Sequence, residues 1–430
     1  MTDTGYRPLR SSNRSEAIRS RLALPGLALL GFILVALNMR AALAAVSPLV
    51  DEISKTYGLS STAGGMITTV PVLAMALGAP FAPKLARRFS TEAVVMGALG
   101  LLAVGVLLRV LPSAFALFAG CVLTGLAITA LNVLMPGIVK RDFPERVAVM
   151  TGLYTTVMIS GATVAAAVSV PLDHALGGWQ GSLGFWVLLT AVSAIGWFPQ
   201  VLRRRVENRL PGGPHDGAGE TTGPAARGAG PQQVRGLWKN PTAWQISVFM
   251  GIASLLVYTT VAWLPSILVE HGMARGTAGS VFAFSNFVQI FSAFLVPLAA
   301  GRMRSQRTLV VVMVLLNAAG FAGLLIAPVS GAWLWAVLLG LAQGGSFGLA
   351  LTMLVLRAGN AAVAAQLSGM AQMIGYLVAA AGPVGSGALR QLTGSWTLPL
   401  SLLLGACGIG LVAGLGAARN IKIRLTPELG

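Results

Sequence analysis

Thr151–Leu183 reads TGLYTTVMISGATVAAAVSVPLDHALGGWQGSL, and Ser368–Leu400 reads SGMAQMIGYLVAAAGPVGSGALRQLTGSWTLPL. At a constant offset of 217, Gly152 meets Gly369, Gly177 meets Gly394 and Trp179 meets Trp396, with no gap. Small residues often coincide by chance in Ala/Gly-rich segments, but a gapless run ending on a shared Gly-x-Trp is harder to obtain that way. Pro48 meets Pro265 at the same offset, and the Thr-Ala-Gly at Thr62 meets that at Thr277 at an offset of 215. The chain reads as two copies of one unit.

Composition says what kind of unit. Of 430 residues, 55% are hydrophobic and only 10% charged, and the mean hydropathy is +0.77. Soluble domains run near a quarter charged, so this is a polytopic membrane protein. Apolar runs fall near residues 24–50, 62–83, 92–111, 114–138, 147–171 and 183–202, then near 242–268, 277–300, 308–328, 332–356, 367–389 and 398–418. Each approaches the ~20 residues that cross ~30 Å of hydrocarbon, which predicts twelve transmembrane helices. Cys121 and Cys407 lie inside apolar runs without metal or disulfide spacing. No cofactor is expected.

A net charge of +17 raises nucleic acid as a partner, and the placement of the charges argues against it. With the N-terminus inside, 25 of the 30 Lys and Arg fall on the cytoplasmic side, and only Lys55, Arg109, Arg275 and Arg390 fall outside. The basic excess is a topology signal that places both termini in the cytoplasm. Residues 1–21 are basic and polar, but the apolar run behind them is too long for a cleavable signal. They read as a cytoplasmic tail.

Between the sixth and seventh spans, Pro211–Gln233 carries seven Gly and four Pro and almost nothing apolar. Such a stretch cannot bury enough surface to offset its ordering entropy and is expected to be a flexible linker. The expected organisation is a tail over 1–21, six-helix bundles over 22–205 and 239–419, a linker over 206–238 and a tail over 420–430. Two parallel six-helix repeats resemble the major facilitator fold, in which substrate binds near the midplane between the halves. Gly78–Ser90, GAPFAPKLARRFS, resembles that fold's loop signature in degenerate form. Lys84, Arg87 and Arg88 are candidate cytoplasmic gate residues, although the usual loop aspartate is missing and topology alone would also place them there.

Leu22–Val50 holds a single charge, Arg40. The carboxylates all lie in tails, loops or span ends: Asp51 and Glu52 close the first span, Asp173 the fifth and Glu270 the seventh. The histidines, His174, His215 and His271, also avoid mid-bilayer. A central arginine without an acid costs ~2.5 kcal/mol on insertion scales. On a helix Arg40 shares a face with Ala36, Ala44 and Ser47, which leaves room around the guanidinium. Three readings compete: a snorkel over the ~15 Å to Val50, a tie to backbone carbonyls, and a substrate-binding cation whose fork suits a planar anion.

Polar and aromatic residues that would complete such a site are Asn38, Tyr154, Tyr258, Trp263, Asn286, Gln289, Gln343, Gln372 and Tyr376. Gln372 and Tyr376, at i and i+4, share a face. Asn38, two residues before Arg40, projects elsewhere and serves equally well as a brace. For each of them, hydrogen bonding between helices is the competing role.

ALNMRAALAAVSPLV (Ala36–Val50), NVLMPGIVKRDFPERVAVMTGLYT (Asn132–Thr155), YTTVAWLPSIL (Tyr258–Leu268) and LSGMAQMIGYLVAAAGPVGSGALRQLTGSW (Leu367–Trp396) resemble the cyanate/2-nitroimidazole transporter family of the major facilitator superfamily. The resemblance spans the membrane portion. It implies transport of a cyanate-like anion or nitroaromatic across the bacterial cytoplasmic membrane. It also implies binding roles for Asn38, Arg40, Tyr154, Tyr258, Trp263, Gln372 and Tyr376. The expected protein is a transporter rather than an enzyme, monomeric, partnered by the bilayer and a small, anionic substrate that it moves by alternating access. The alternative is an efflux pump with a neutral, aromatic pocket.

Overall fold

The computed structural model describes residues 25–209 and 236–423. The tail expected over 1–21, most of the expected linker and residues 424–430 lie outside the described residues. What is described is helical apart from one isolated bridge between Ala358 and Ile423. In chain order the helices are α1 (Pro25–Ala44), α2 (Val50–Tyr57), α3 (Ser61–Gly78), α4 (Ala82–Phe89), α5 (Thr91–Arg109), α6 (Ala114–Asp142) and α7 (Val147–Ala175). They continue as α8 (Trp179–Arg209), α9 (Pro241–Glu270), α10 (Arg275–Arg302), α11 (Arg307–Ile326), α12 (Ala332–Arg357), α13 (Ala361–Thr393) and α14 (Thr397–Ala417).

Among the described residues, eleven helices are long and apolar enough to cross a membrane, and a pair bent by 56°, Ala63–Gly78 and Ala82–Phe89, brings the number to twelve as one span. The sequence places one apolar run near 62–83, and within it α3 ends at Gly78. Pro80 and Pro83 lack the N–H groups that would carry the ladder onward, and Phe81 N turns back to the Gly78 carbonyl at 3.0 Å. Other starts are set by side-chain caps. Ser60 accepts from Ala63 N at 3.2 Å, Asn240 from Ala243 N at 3.2 Å and Asn360 from Val363 N at 2.8 Å, each filling an orphan donor of a first turn.

The internal repeat holds in three dimensions. Within the first half α1 packs on α7 and α8, α6 on α3 and α5, and α5 on α8. Displaced by six spans, the same pairs recur: α9 on α13 and α14, α12 on α10 and α11, and α11 on α14. The repeated tryptophan also repeats its job. Trp179 Nε1 donates to Thr56 Oγ1 at 3.1 Å, and Trp396 Nε1 donates to Glu270 Oε2 at 2.9 Å. Trp179 fastens the start of α8 to α2, which follows the first span, and Trp396 fastens the start of α14 to the end of α9.

The halves meet where α7 packs on α10 and where α13 packs on α3 and α6. The tightest approaches lie at the end from which the linker departs, here the linker face. A Cβ added at Gly152 would stand 3.0 Å from the Phe294 carbonyl, and one at Gly369 3.0 Å from that of Ala79. Only glycine permits such contact between backbones. Gly301 abuts the side chain of Ala148. The two halves are in close contact at the linker face.

Candidate functional site

Arg40 stands on α1 within the crossing run Ala28–Leu49, roughly 18 Å from one end and 14 Å from the other by helical rise. It is partly exposed. Its guanidinium carbon lies 5.4 Å from the centroid of the Tyr258 ring on α9. The Phe347 ring on α12 is 5.2 Å away. The cation belongs to the first half and both rings to the second, so the site straddles the seam. Each ring contact stabilises the charge by about 0.5–1 kcal/mol, or more where water is excluded. Among the described residues no hydrogen bond or ion pair occupies the guanidinium, so its N–H groups are open to a ligand.

Two of the expected tyrosines join this centre. The Tyr376 hydroxyl has Tyr258, Arg40 and Tyr154 as its electrostatic neighbours. It donates to Gln372 Oε1 at 3.0 Å and accepts from Asn132 Nδ2 of α6 at 3.2 Å. Gln372 Nε2 passes the chain on to Ser368 Oγ at 2.9 Å. Tyr154 is 1% exposed, its ring meets Phe32 edge-on at 6.0 Å, and its hydroxyl has no partner. A buried O–H without an acceptor costs about 1–3 kcal/mol. The centre therefore offers unfilled donors, Arg40 and Tyr154, beside aromatic faces.

Other expected residues are engaged elsewhere. Asn38 donates to Ser193 Oγ at 2.6 Å and accepts from Thr190 Oγ1 at 3.0 Å, bracing α1 against α8. Gln343 Nε2 donates to Thr260 Oγ1 at 2.7 Å, joining α12 to α9. Trp263 Nε1 donates to the Pro383 carbonyl at 2.9 Å and its ring tilts on Trp396 at 5.3 Å, toward the far end of the second half. Asn286 turns to its own helix, donating to Phe282 O at 3.1 Å, and Gln289 is buried on α10.

At the linker face, Lys84, Arg87 and Arg88 lie on α4 and take part in no described ion pair. Lys84 and Arg88 each sit 5.3 Å from the ring of Phe81 and Phe89 respectively. At this level Arg141 pairs with Glu92 at 2.7 Å, joining α6 to α5, and with its neighbour Asp142 at 2.7 Å. Four residues matter that the sequence reading left aside: Phe347, Asn132, Glu92 and Arg109. Asn132 had a signal, a lone amide inside an apolar run like that of Asn38. Phe347 had none, since an aromatic residue in an apolar helix is ordinary. Arg109, counted as an outside charge, is in fact 1% exposed.

The sequence profile of the Major Facilitator Superfamily matches residues 28–383. The chain is 36% identical to the 2-nitroimidazole transporter of Escherichia coli over 92% of its own length and 96% of that protein. It is 29% identical to the cyanate transport protein CynX of Escherichia coli over 89% of its own length and 95% of that protein. Among solved structures, the fucose:proton symporter FucP of Escherichia coli superposes with a TM-score of 0.67 at 14% identity, over 91% of this chain and 99% of that one.

Proposed function

Because the chain belongs to the major facilitator superfamily, and is thus a multi-pass membrane transporter of small solutes, we propose that its solute is a compact, flat, acceptor-rich molecule. A cyanate-like anion or a nitroaromatic fits that description, held by Arg40 and moved by alternating access. The observation that carries this reading is the Arg40 guanidinium, at mid-depth and partly exposed, with no described acceptor and two rings of the opposite half beside it. A ligand presenting paired acceptors to the guanidinium would supply what the protein withholds. Tyr154 offers a further donor, and Tyr258 and Phe347 offer faces for a π system. The names of two relatives, for 2-nitroimidazole and for cyanate, support the same solute class.

The charge asymmetry supports a bacterial cytoplasmic membrane with the linker face inside. Importing a monovalent anion into a negative-inside cell is opposed by ~2.3 kcal/mol per 100 mV. The described carboxylates lie at span ends, so exchange, facilitated diffusion or a proton carried by the substrate itself accounts for movement more simply than a protein-borne proton. Binding and proteoliposome flux of cyanate and 2-nitroimidazole test the proposal, with Arg40→Gln as the control. Saturable uptake lost in the variant is the expected result. Binding of neutral amphiphiles with equal strength by both proteins would overturn it in favour of an efflux pocket.

A further inference from the structure

Arg40 stands one turn before a break. Val46 N bonds the Leu43 carbonyl at 3.3 Å instead of continuing the α-helical ladder to Ala42. A 3-10 turn, Ser47–Leu49, follows, and Pro48 has no N–H with which to resume the ladder. The carbonyl of Ala42 is thereby released from the helix. It does not go unpaired: Arg109 Nη1, from the last residue of α5, donates to it at 2.8 Å. The Arg109 stem reaches α1 across Gly120, where an added Cβ would stand 2.8 Å from Arg109 Cγ. Arg109 Nε and Nη2 are buried without a partner, so the Ala42 carbonyl is the one described hydrogen-bond acceptor of this guanidinium.

The second half has no such break in its first span, and no arginine at the position corresponding to Arg109. Pro265, the counterpart of Pro48, lies inside the continuous helix α9. Ile326, the counterpart of Arg109 at the same offset, is 84% exposed. The buried Arg109 thus lies in the half whose first span is broken, and it bonds the carbonyl which that break releases, two residues from Arg40. We infer that Arg109 is a positioning residue for the Arg40 site, clamping the broken end of α1 and fixing where Arg40 stands. The inference rests on Arg40 as the substrate anchor.

Hydrogen exchange by mass spectrometry on the reconstituted full chain tests the clamp without any substrate. Residues 43–50 should exchange about tenfold faster in Arg109→Met, since a charge-assisted bond to a backbone carbonyl is lost. They should return to wild-type rates in Arg109→Lys, which keeps charge and donor, and be unchanged in Arg40→Gln. Should the Met variant fail to fold, Arg109→Gln, too short to reach the carbonyl, is read in its place. Unchanged exchange over 43–50, or acceleration spread evenly through α5 and α6, overturns the inference. A double-mutant cycle then reads affinity for 2-nitroimidazole. Arg109→Met should weaken binding about tenfold alone and add little to Arg40→Gln; additive losses overturn the inference. If wild type binds neither this probe nor cyanate, the solute reading fails, while the exchange result still decides the clamp.

Discussion

Replacing Arg40 with Gln separates a binding cation from a structural tie, because the two readings move different quantities. A tie has acceptors in the protein, and cutting a buried charged contact costs about 3–5 kcal/mol of stability. Arg40 has two ring contacts and no described acceptor. Its loss removes about 1 kcal/mol per ring and relieves roughly 2.5 kcal/mol spent holding a charge at mid-depth. Stability should stay within about 1 kcal/mol of wild type. Affinity should not. Two charge-assisted bonds to an anion are each worth about 1.5–3 kcal/mol, and a Gln amide recovers one weaker bond. A net loss of about 2–3 kcal/mol is a 30- to 150-fold rise in Kd. Calorimetric titration of 2-nitroimidazole and cyanate, alongside unfolding in nanodiscs, measures both quantities. A fall in stability of about 3 kcal/mol with Kd unchanged would refute the reasoning.

Tyr154→Phe removes a buried hydroxyl that has no partner; unfolding should show unchanged or higher stability, by up to about 1 kcal/mol, and titration should show affinity weakened several-fold. Asn38→Leu breaks the brace to Ser193 and Thr190, so unfolding should register a loss of about 1–3 kcal/mol with Kd for the same probes unaltered. Gly152→Val places bulk against the Phe294 carbonyl, 3.0 Å from the added Cβ. The linker face should then fail to close, with flux abolished and thiol labelling of cysteines placed at that face increased.

The repeat was legible because it is written in residues with obligatory local roles. Gly177 and Gly394 both adopt positive φ, 74° and 69°, and the tryptophan that follows each has one N–H to place. The span count was legible because crossing hydrocarbon requires a run of fixed length, which any helical packing must respect. The bend at Ala79–Phe81 escaped, since apolar character continues through prolines that end the ladder. Within the site, Arg40 was visible as the one charge its run could not ignore. Asn38 and Gln343, which the structure engages between helices, carried the same signal as Gln372 and Tyr376, which it links to each other and to Asn132. Burial of Arg109 was hidden by its position at a span end, where charges are ordinarily wetted.

The sequence by itself determined how many times the chain crosses the membrane, that it does so as two copies of one unit, and that one of these copies carries an uncompensated cation. Only the tertiary structure decided which side chains face that cation, which tie helices together, and where a broken helix is held. The physical reason lies in the solvent. In water an amphipathic stripe announces which face of a helix packs inward, but hydrocarbon is as apolar as the protein interior, so both faces of a span read alike. The facing of each helix is settled by close packing at small residues such as Gly152 and Gly369, and that information exists only when the spans are assembled.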